Sequence, residues 1–259
     1  MDELAFRSAV EQAAAIRSGS ASSRQLVELY LERIERCNGS INAVVTVDAD
    51  GARRQGDERD AERDGGHIRG PLHGVPMTVK DAFATAGIRT TSGKWDRAGY
   101  VPAEDAVAVA RLVEAGVVVL GKTNVPEGVT GQETANALFG RTSNPWDLGR
   151  TPGGSSGGAA AAVAAGLSAL EIGSDSGGSV RLPAHCCGIY GHVPTQGLVP
   201  LRGHLPLVPM EEVGMQVDLM GGGPLARSPA DLAAALGVLA GPDIQDGRAW
   251  RVGPRQYLR

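Results

Sequence analysis

Two glycine–serine clusters are the residues of this chain best suited to chemistry. One reads Gly153-Gly154-Ser155-Ser156-Gly157-Gly158; the other reads Gly173-Ser174-Asp175-Ser176-Gly177-Gly178-Ser179. Glycine admits positive φ and lets backbone crowd against a ligand, at an entropic cost in an ordinary helix or strand. Two such clusters flanking the small-residue run 159–166 suggest a backbone shaped around a reacting group, with serines as candidate nucleophiles. A serine hydroxyl needs a base to take its proton. None of His67, His73, His185, His192 and His204 has a sequence context that marks a triad base. A lysine can serve if burial lowers its pKa. Lys80, after the apolar run 75–79 and before Asp81, is placed for such burial, although a surface salt bridge is the plainer reading of a lone lysine there. In the second cluster, N–H groups around Ser176, Gly177, Gly178 and Ser179 that converge on one point would stabilise a tetrahedral oxyanion by roughly 3 kcal/mol per donor. A turn that merely joins a strand to a helix is the competing reading.

The surrounding pattern must position these groups. Ser22-Ser23 followed by Leu26, Val27, Leu29, Tyr30, Leu31 and Ile34 predicts a capped amphipathic helix, with a shorter helix over 5–17 before it. Residues 41–47, rich in β-branched side chains, read as a strand. Residues 52–64 carry both charge signs densely, which fits a solvated helix face better than a binding patch. A helix over 105–115 with Gly116 as its stop leads into a buried-type strand at 117–120. The same order recurs as helix 159–165, Gly166 and strand 167–172, and 231–239 predicts one more helix. This alternation favours an α/β fold, a sheet covered by helices on both faces. Residues 1–240 read as one domain, and 241–259, with little apolar periodicity, as a polar tail.

Composition narrows the classes. A net charge of −4 gives no electrostatic reason to expect nucleic-acid binding. Aromatics make up 4% of the chain, so the core must be built mainly from Ala, Val and Leu. Three cysteines, Cys37 and the adjacent Cys186 and Cys187, make no disulfide framework. Met1-Asp2-Glu3-Leu4 lacks the basic and apolar regions of a signal peptide, and 159–165 is too short to span a bilayer. The expectation is a cytoplasmic, reduced protein with no membrane association.

In order along the chain stand Val79-Lys80-Asp81, Gly121-Lys122-Thr123-Asn124, Asn144-Pro145-Trp146, Arg150-Thr151-Pro152 leading into the first cluster, and the second cluster leading into Val180-Arg181-Leu182-Pro183-Ala184. Cys187-Gly188-Ile189-Tyr190-Gly191 and Pro194-Thr195 follow. This series closely resembles the amidase signature family over most of residues 20–241. The resemblance implies a mixed β-sheet sandwiched between α-helices and a Ser–cisSer–Lys triad. Ser179 matches the nucleophile. Ser155 matches the bridging serine, whose peptide bond with Gly154 is cis in the family. Lys80 matches the base. The backbone of Ser176, Gly177 and Gly178 matches the oxyanion hole, with Ser156, Thr151, Asp175 and Arg181 around them. Asp175 and Arg181 could pair to fix the oxyanion loop, and an ordinary structural salt bridge is an equal reading. The implied reaction is acylation of Ser179 by a small-molecule carboxamide, release of ammonia or an amine, then hydrolysis, with no cofactor and no metal.

Rival readings are weaker on the residues. The first cluster could cradle a phosphate at a helix N-terminus, but the Gly-Lys-Ser/Thr ending and a dinucleotide fingerprint are absent. His185, Cys186, Cys187 and His192 invite a zinc reading, yet adjacent cysteines serve one tetrahedral site poorly. Cys187 as a nitrilase-type nucleophile lacks a matched base. Within the family, the A subunit of an aminoacyl-tRNA amidotransferase is the main rival. That type usually has Gln where Leu182 stands and Gly-Leu-Lys-Pro-Thr where this chain has Gly191-His192-Val193-Pro194-Thr195; both departures favour a stand-alone amidase. Family members are generally much longer, so the resemblance also implies a sheet lacking C-terminal elements, an exposed edge that invites oligomerisation, and the alternative of a catalytically inactive remnant. Substrate identity lies with pocket walls that the sequence does not supply; Trp95, His204 and 210–220 are candidates for what lines the site, with surface packing an equal reading.

Overall fold

The computed structural model describes residues 2–204 and 219–248. Eight α-helices and eight strands are found among them. The N-terminal region folds as α1 (Asp2–Phe6), α2 (Ala9–Arg17) and α3 (Ser23–Ile41). The single helix expected over 5–17 is broken because Ser8 caps α2 reciprocally with Glu11. Ser22 caps α3 in the same way with Gln25. The strand expected from residue 41 starts later, since α3 runs through Ile41 and ends at Asn42, which adopts a left-handed conformation. β1 is Val44–Val47 and α4 is Ala49–Asp64. The charged face of α4 is tied to α3 rather than wholly solvated: Arg53 meets Glu28, Arg24 meets Asp57, and Asp60 accepts the N–H groups of Ser23 and Arg24.

The remaining elements are β2 (Pro76–Lys80), α5 (Val107–Glu114), β3 (Val118–Thr123), a small hairpin of β4 (Ala135–Asn136) and β5 (Gly140–Arg141), α6 (Gly157–Ala164), β6 (Leu170–Asp175), α7 (Arg181–Cys187), β7 (Tyr190–Gly191), β8 (Gly221–Ala226) and α8 (Pro229–Leu239). Six strands form one mixed sheet in the order β1-β3-β2-β6-β8-β7, flanked by helices. β2 runs parallel to both β3 and β6, and the outer pairings are antiparallel. The parallel trio carries the site, because it brings the C-terminal ends of β2 and β6 to one end of the sheet, where Lys80 and Asp175 end their strands.

β8 is the element that sequence periodicity does not reveal. Its Gly221-Gly222-Gly223-Pro224 start has poor strand propensity, yet it pairs with β6 along its whole length, from Leu170–Ala226 to Asp175–Gly221. The reason is space: a Cβ on Gly223 would lie 1.9 Å from the His192 carbonyl oxygen, so only glycine lets the neighbouring chain approach.

α6 is buried over most of its length, with Ala159, Ala160, Ala161 and Ala162 all fully inaccessible. Small side chains let this helix sit close upon β2, β6 and β8, which fixes the serine loop at its N-terminus over the strand ends. Gly158 is required by the same contact, since a Cβ there would stand 2.4 Å from the Asn124 carbonyl oxygen and 2.5 Å from its nitrogen. Gly158→Ala should therefore destabilise the chain by about 1–3 kcal/mol despite its better helix propensity. Gly237→Ala, at an exposed position of α8 with open space around the new methyl, should stabilise by about 0.5–1 kcal/mol. Urea unfolding of both variants checks the pair, and equal shifts would remove close packing as the explanation.

Candidate active site

Lys80 is the last residue of β2 and its side chain is fully buried. Its Nζ lies 2.8 Å from Ser155 Oγ, 2.8 Å from Ser156 Oγ, 3.0 Å from Ser174 Oγ and 3.2 Å from the Ser174 carbonyl oxygen. Among the described residues, no carboxylate pairs with it. Burial pushes the amine down from 10.5 to about 7, against the more distant pull of Asp175 and Glu171. A group that ionises near neutrality in a buried, hydroxyl-lined pocket can give and take protons at physiological pH.

Ser155 and Ser156 lie in the turn that precedes α6, and both are buried. The Gly154–Ser155 peptide bond is cis. Thr134 Oγ1 donates to the Gly153 carbonyl at 2.9 Å, and the exposed Thr151 accepts the Gly153 N–H at 3.1 Å, so Thr151 acts as a turn brace rather than as a lining residue. From the other side, Gly173 gives Ser156 its room: a Cβ at Gly173 would meet Ser156 Oγ at 2.9 Å.

Asp175 ends β6 and organises the second cluster. Its carboxylate accepts N–H groups from Gly178 at 2.8 Å, Val180 at 2.9 Å and Arg181 at 3.2 Å, and pairs with the Arg181 guanidinium through contacts of 2.8 and 3.1 Å. Burial opposes its ionisation, but the Arg181 side chain and the backbone donors together hold the carboxyl far below the usual range. Asp175 and Arg181 thus do pair across the loop. Gly178 departs from its expected role as an oxyanion donor, because its N–H points at Asp175; its φ of +110° instead supplies the bend that glycine allows. The N–H groups of Ser176, Gly177 and Ser179 have no acceptor among the described residues, and Ser176 and Gly177 are exposed.

Ser179 is partly exposed. Its carbonyl accepts the Ser156 N–H at 3.1 Å, which ties the two clusters together through backbone. Its hydroxyl has no hydrogen-bond partner among the described residues, so the structure joins Lys80 to Ser155 directly and brings Ser179 alongside by its main chain.

Three further buried side chains meet this site without having been assigned a role in it from the sequence. Ser174 touches Lys80 and also His204, whose Nε2 is 2.8 Å from Ser174 Oγ. Glu171, fully buried, accepts from Thr78 and Thr123 at 2.7 and 3.0 Å, and burial pushes its carboxyl up to about 7. Lys122, also fully buried, donates to the Phe83 carbonyl, Thr85 and Thr90, and is pushed down to about 8 by burial. Trp95 is largely exposed, and residues 210–218 of the expected lining lie outside the described residues. A cavity of about 760 Å³ is lined by Lys94, Pro126, Glu127, Gly128, Thr130, Glu133 and Ala135. Gly131 and Gln132, in the same segment, pack on Gly154, which places the cavity beside the serine loop. Cys187 is buried with Sγ 3.7 Å from the Pro152 carbonyl, its thiol pushed up to about 12 by burial.

The family model described as Amidase matches residues 25–256. The chain belongs to the amidase family. It is similar to the A subunit of glutamyl-tRNA(Gln) amidotransferase from Synechococcus sp. (strain CC9605), with 45% identity over 231 residues that make up 89% of this chain and 45% of that protein. It is also similar to an acylamidase of Rhodococcus erythropolis, at 42% identity over 94% of this chain and 49% of the relative. Among solved structures, native peptide amidase from Stenotrophomonas maltophilia aligns with a TM-score of 0.82 at 36% identity, over 93% of this chain and 49% of that one. Fatty acid amide hydrolase aligns with a TM-score of 0.85 at 30% identity, over 96% and 42%. The chain spans about half the length of the curated relatives it matches.

For this member of the amidase family, the Asp175 geometry yields a stability prediction with a defined pH window. Asp175→Ala leaves three N–H donors and a guanidinium without their acceptor and should cost about 3 kcal/mol or more. Arg181→Ala removes only a largely exposed partner and should cost about 1 kcal/mol or less. Because the folded carboxyl ionises below its ordinary value of 3.8, its contribution is complete above that value and is lost as pH falls below it. Denaturant unfolding should find the gap between parent and Asp175→Ala constant from about pH 7 to 5 and shrinking below about 4.

Proposed function

We propose that this chain carries the catalytic centre of an amide hydrolase. Ser179 Oγ attacks the carbonyl carbon of a carboxamide and passes its proton to Ser155 Oγ, while the Ser155 proton moves to neutral Lys80 Nζ. The N–H groups of Ser176, Gly177 and Ser179, unpaired among the described residues, receive the oxyanion. Lys80, through Ser155, returns a proton to the leaving nitrogen as the C–N bond breaks, releasing ammonia or an amine and leaving an ester on Ser179. Water then takes the place of the amine, and the carboxylate product departs. The observation that carries this reading is the 2.8 Å contact between buried Lys80 Nζ and Ser155 Oγ, with no carboxylate among the described residues in contact to hold the amine charged.

A second reading is favoured by the 45% identity to the A subunit of an amidotransferase: the same centre would release ammonia for a partner protein. Leu182 and the His192-Val193 pair, standing where that type usually has Gln and Leu-Lys, weigh toward independent hydrolysis. Affinity purification of the full chain from its native cells separates the two, with ammonia release from simple amides by the free chain expected. Release that appears only with a co-purifying protein would favour the amidotransferase reading.

The triad itself is tested with a serine-directed fluorophosphonate, mapped by mass spectrometry. Label is expected on Ser179 and on no residue in Ser179→Ala. Lys80→Met should slow labelling by about 10³-fold with an unchanged melting temperature. Since Lys80 must be neutral to act as base, the labelling rate should climb with pH through about 7 and level off above it. Parent-like labelling in Lys80→Met, or a rate that falls as pH rises through this window, would sink the assignment.

A further inference from the structure

Lys80 is ringed by hydroxyls that can each donate as well as accept. A neutral amine has one lone pair, and only Ser155 is useful as its proton source. Ser155, Ser156 and Ser174 all lie within 3.0 Å of Nζ, so a rotated Ser156 or Ser174 hydroxyl would occupy that lone pair unproductively. Ser156 Oγ has an alternative acceptor in the Ser174 carbonyl at 3.4 Å. Ser174 Oγ has a different one. The imidazole of His204 reaches it at 2.8 Å through Nε2, from a residue thirty positions further along the chain.

We propose that His204 is a positioning residue for the serine–lysine centre: its unprotonated Nε2 takes the Ser174 O–H, turning the Ser174 lone pairs toward Lys80 and reserving the Lys80 lone pair for Ser155. The inference rests on the triad reading above. His204 is held in place for this contact: it is 6% exposed, and its ring stands edge-on to Phe83 with centroids 4.8 Å apart. Phe83 in turn is held by Lys122, which donates to its carbonyl. Burial lowers the imidazole to about 3, with the Lys80 and Lys122 cations acting in the same direction, so the ring stays neutral across the physiological range. A protonated imidazole would have to donate at Nε2, which would free the Ser174 hydrogen to turn on Lys80. The neutral ring with its hydrogen on Nδ1 avoids that state.

Two experiments on the full chain test this. With ¹⁵N-labelled histidine, the His204 resonances, assigned by their loss in His204→Gln, should report the neutral Nδ1–H tautomer. An Nε2–H tautomer overturns the proposal, whatever the chain's activity. Fluorophosphonate labelling of Ser179 then reads the consequence. His204→Phe, which keeps the ring but lacks an acceptor, should slow labelling about tenfold. His204→Gln, whose amide oxygen can accept the Ser174 O–H, should stay within about twofold of the parent. Adding Ser174→Ala to His204→Phe removes the competing hydrogen and should recover most of the lost rate. A purely structural role for His204 predicts no such recovery. Parent-like labelling in His204→Phe, or a slow rate that Ser174→Ala leaves unchanged, overturns the proposal. Absence of label on the parent's Ser179 defeats the triad reading itself, while the tautomer still reports on His204 separately.

Discussion

Taking the Lys80 amine out of water is the constraint on which the rest of the site depends. An ammonium in a protein interior costs several kcal/mol unless a partner compensates, and the partner chosen decides what the lysine can do. A carboxylate in contact would hold the proton and leave a structural ion pair. Here the contacts are hydroxyl and carbonyl oxygens, which satisfy the N–H groups without fixing the charge. The carboxylate that follows Ser174 is engaged elsewhere, since Asp175 is saturated by Arg181 and three backbone N–H groups. That engagement lets burial, rather than attraction, set the protonation of Lys80.

The sheet register extends the argument to a second lysine. Lys80 pairs with Thr123, and Lys122 with Val79, so alternation sends the two lysine side chains to opposite faces. Lys122 is also buried and also depressed, but Asp81 leads three carboxylates that oppose the shift, and its contacts are the loop after β2 rather than a serine turn. Two lysines with the same burial therefore acquire different roles. One meets a cluster of serine hydroxyls; the other fixes Phe83 and the 85–90 loop, and His204 rests against Phe83.

How much of this is legible in the sequence follows from what each residue signals locally. Capped and periodic segments announce α2, α3, α5, α6 and α8 within a few residues, because their stop and start chemistry is written in neighbouring positions such as Ser22 and Gly116. The serine clusters and Lys80 stand out because glycine density and a charged residue after an apolar run are unusual in themselves. β8 is hidden, since Gly221 to Pro224 is selected by the approach of the 190–192 segment and not by strand propensity. Ser174 stands inside the second cluster and His204 among the lining candidates, but their pairing is hidden for a related reason: it joins positions thirty residues apart, with nothing in either neighbourhood to predict the contact.

Gly178 shows how a backbone ledger can correct a motif. A loop of consecutive N–H groups looks, in sequence, like a set of equivalent donors. In three dimensions every buried donor needs an acceptor, and Asp175 takes those of Gly178, Val180 and Arg181 on the inner side of the loop. What remains is a consequence of that choice. The N–H groups of Ser176, Gly177 and Ser179 are unclaimed among the described residues, at the partly exposed rim where Ser179 also stands. A donor left unpaired in the core would be a defect. Left at the rim, it can hydrogen-bond to whatever meets that surface, and the proposed oxyanion role rests on this. The aspartate that anchors the loop is therefore also what sorts its donors into those that hold the fold and those left at the rim.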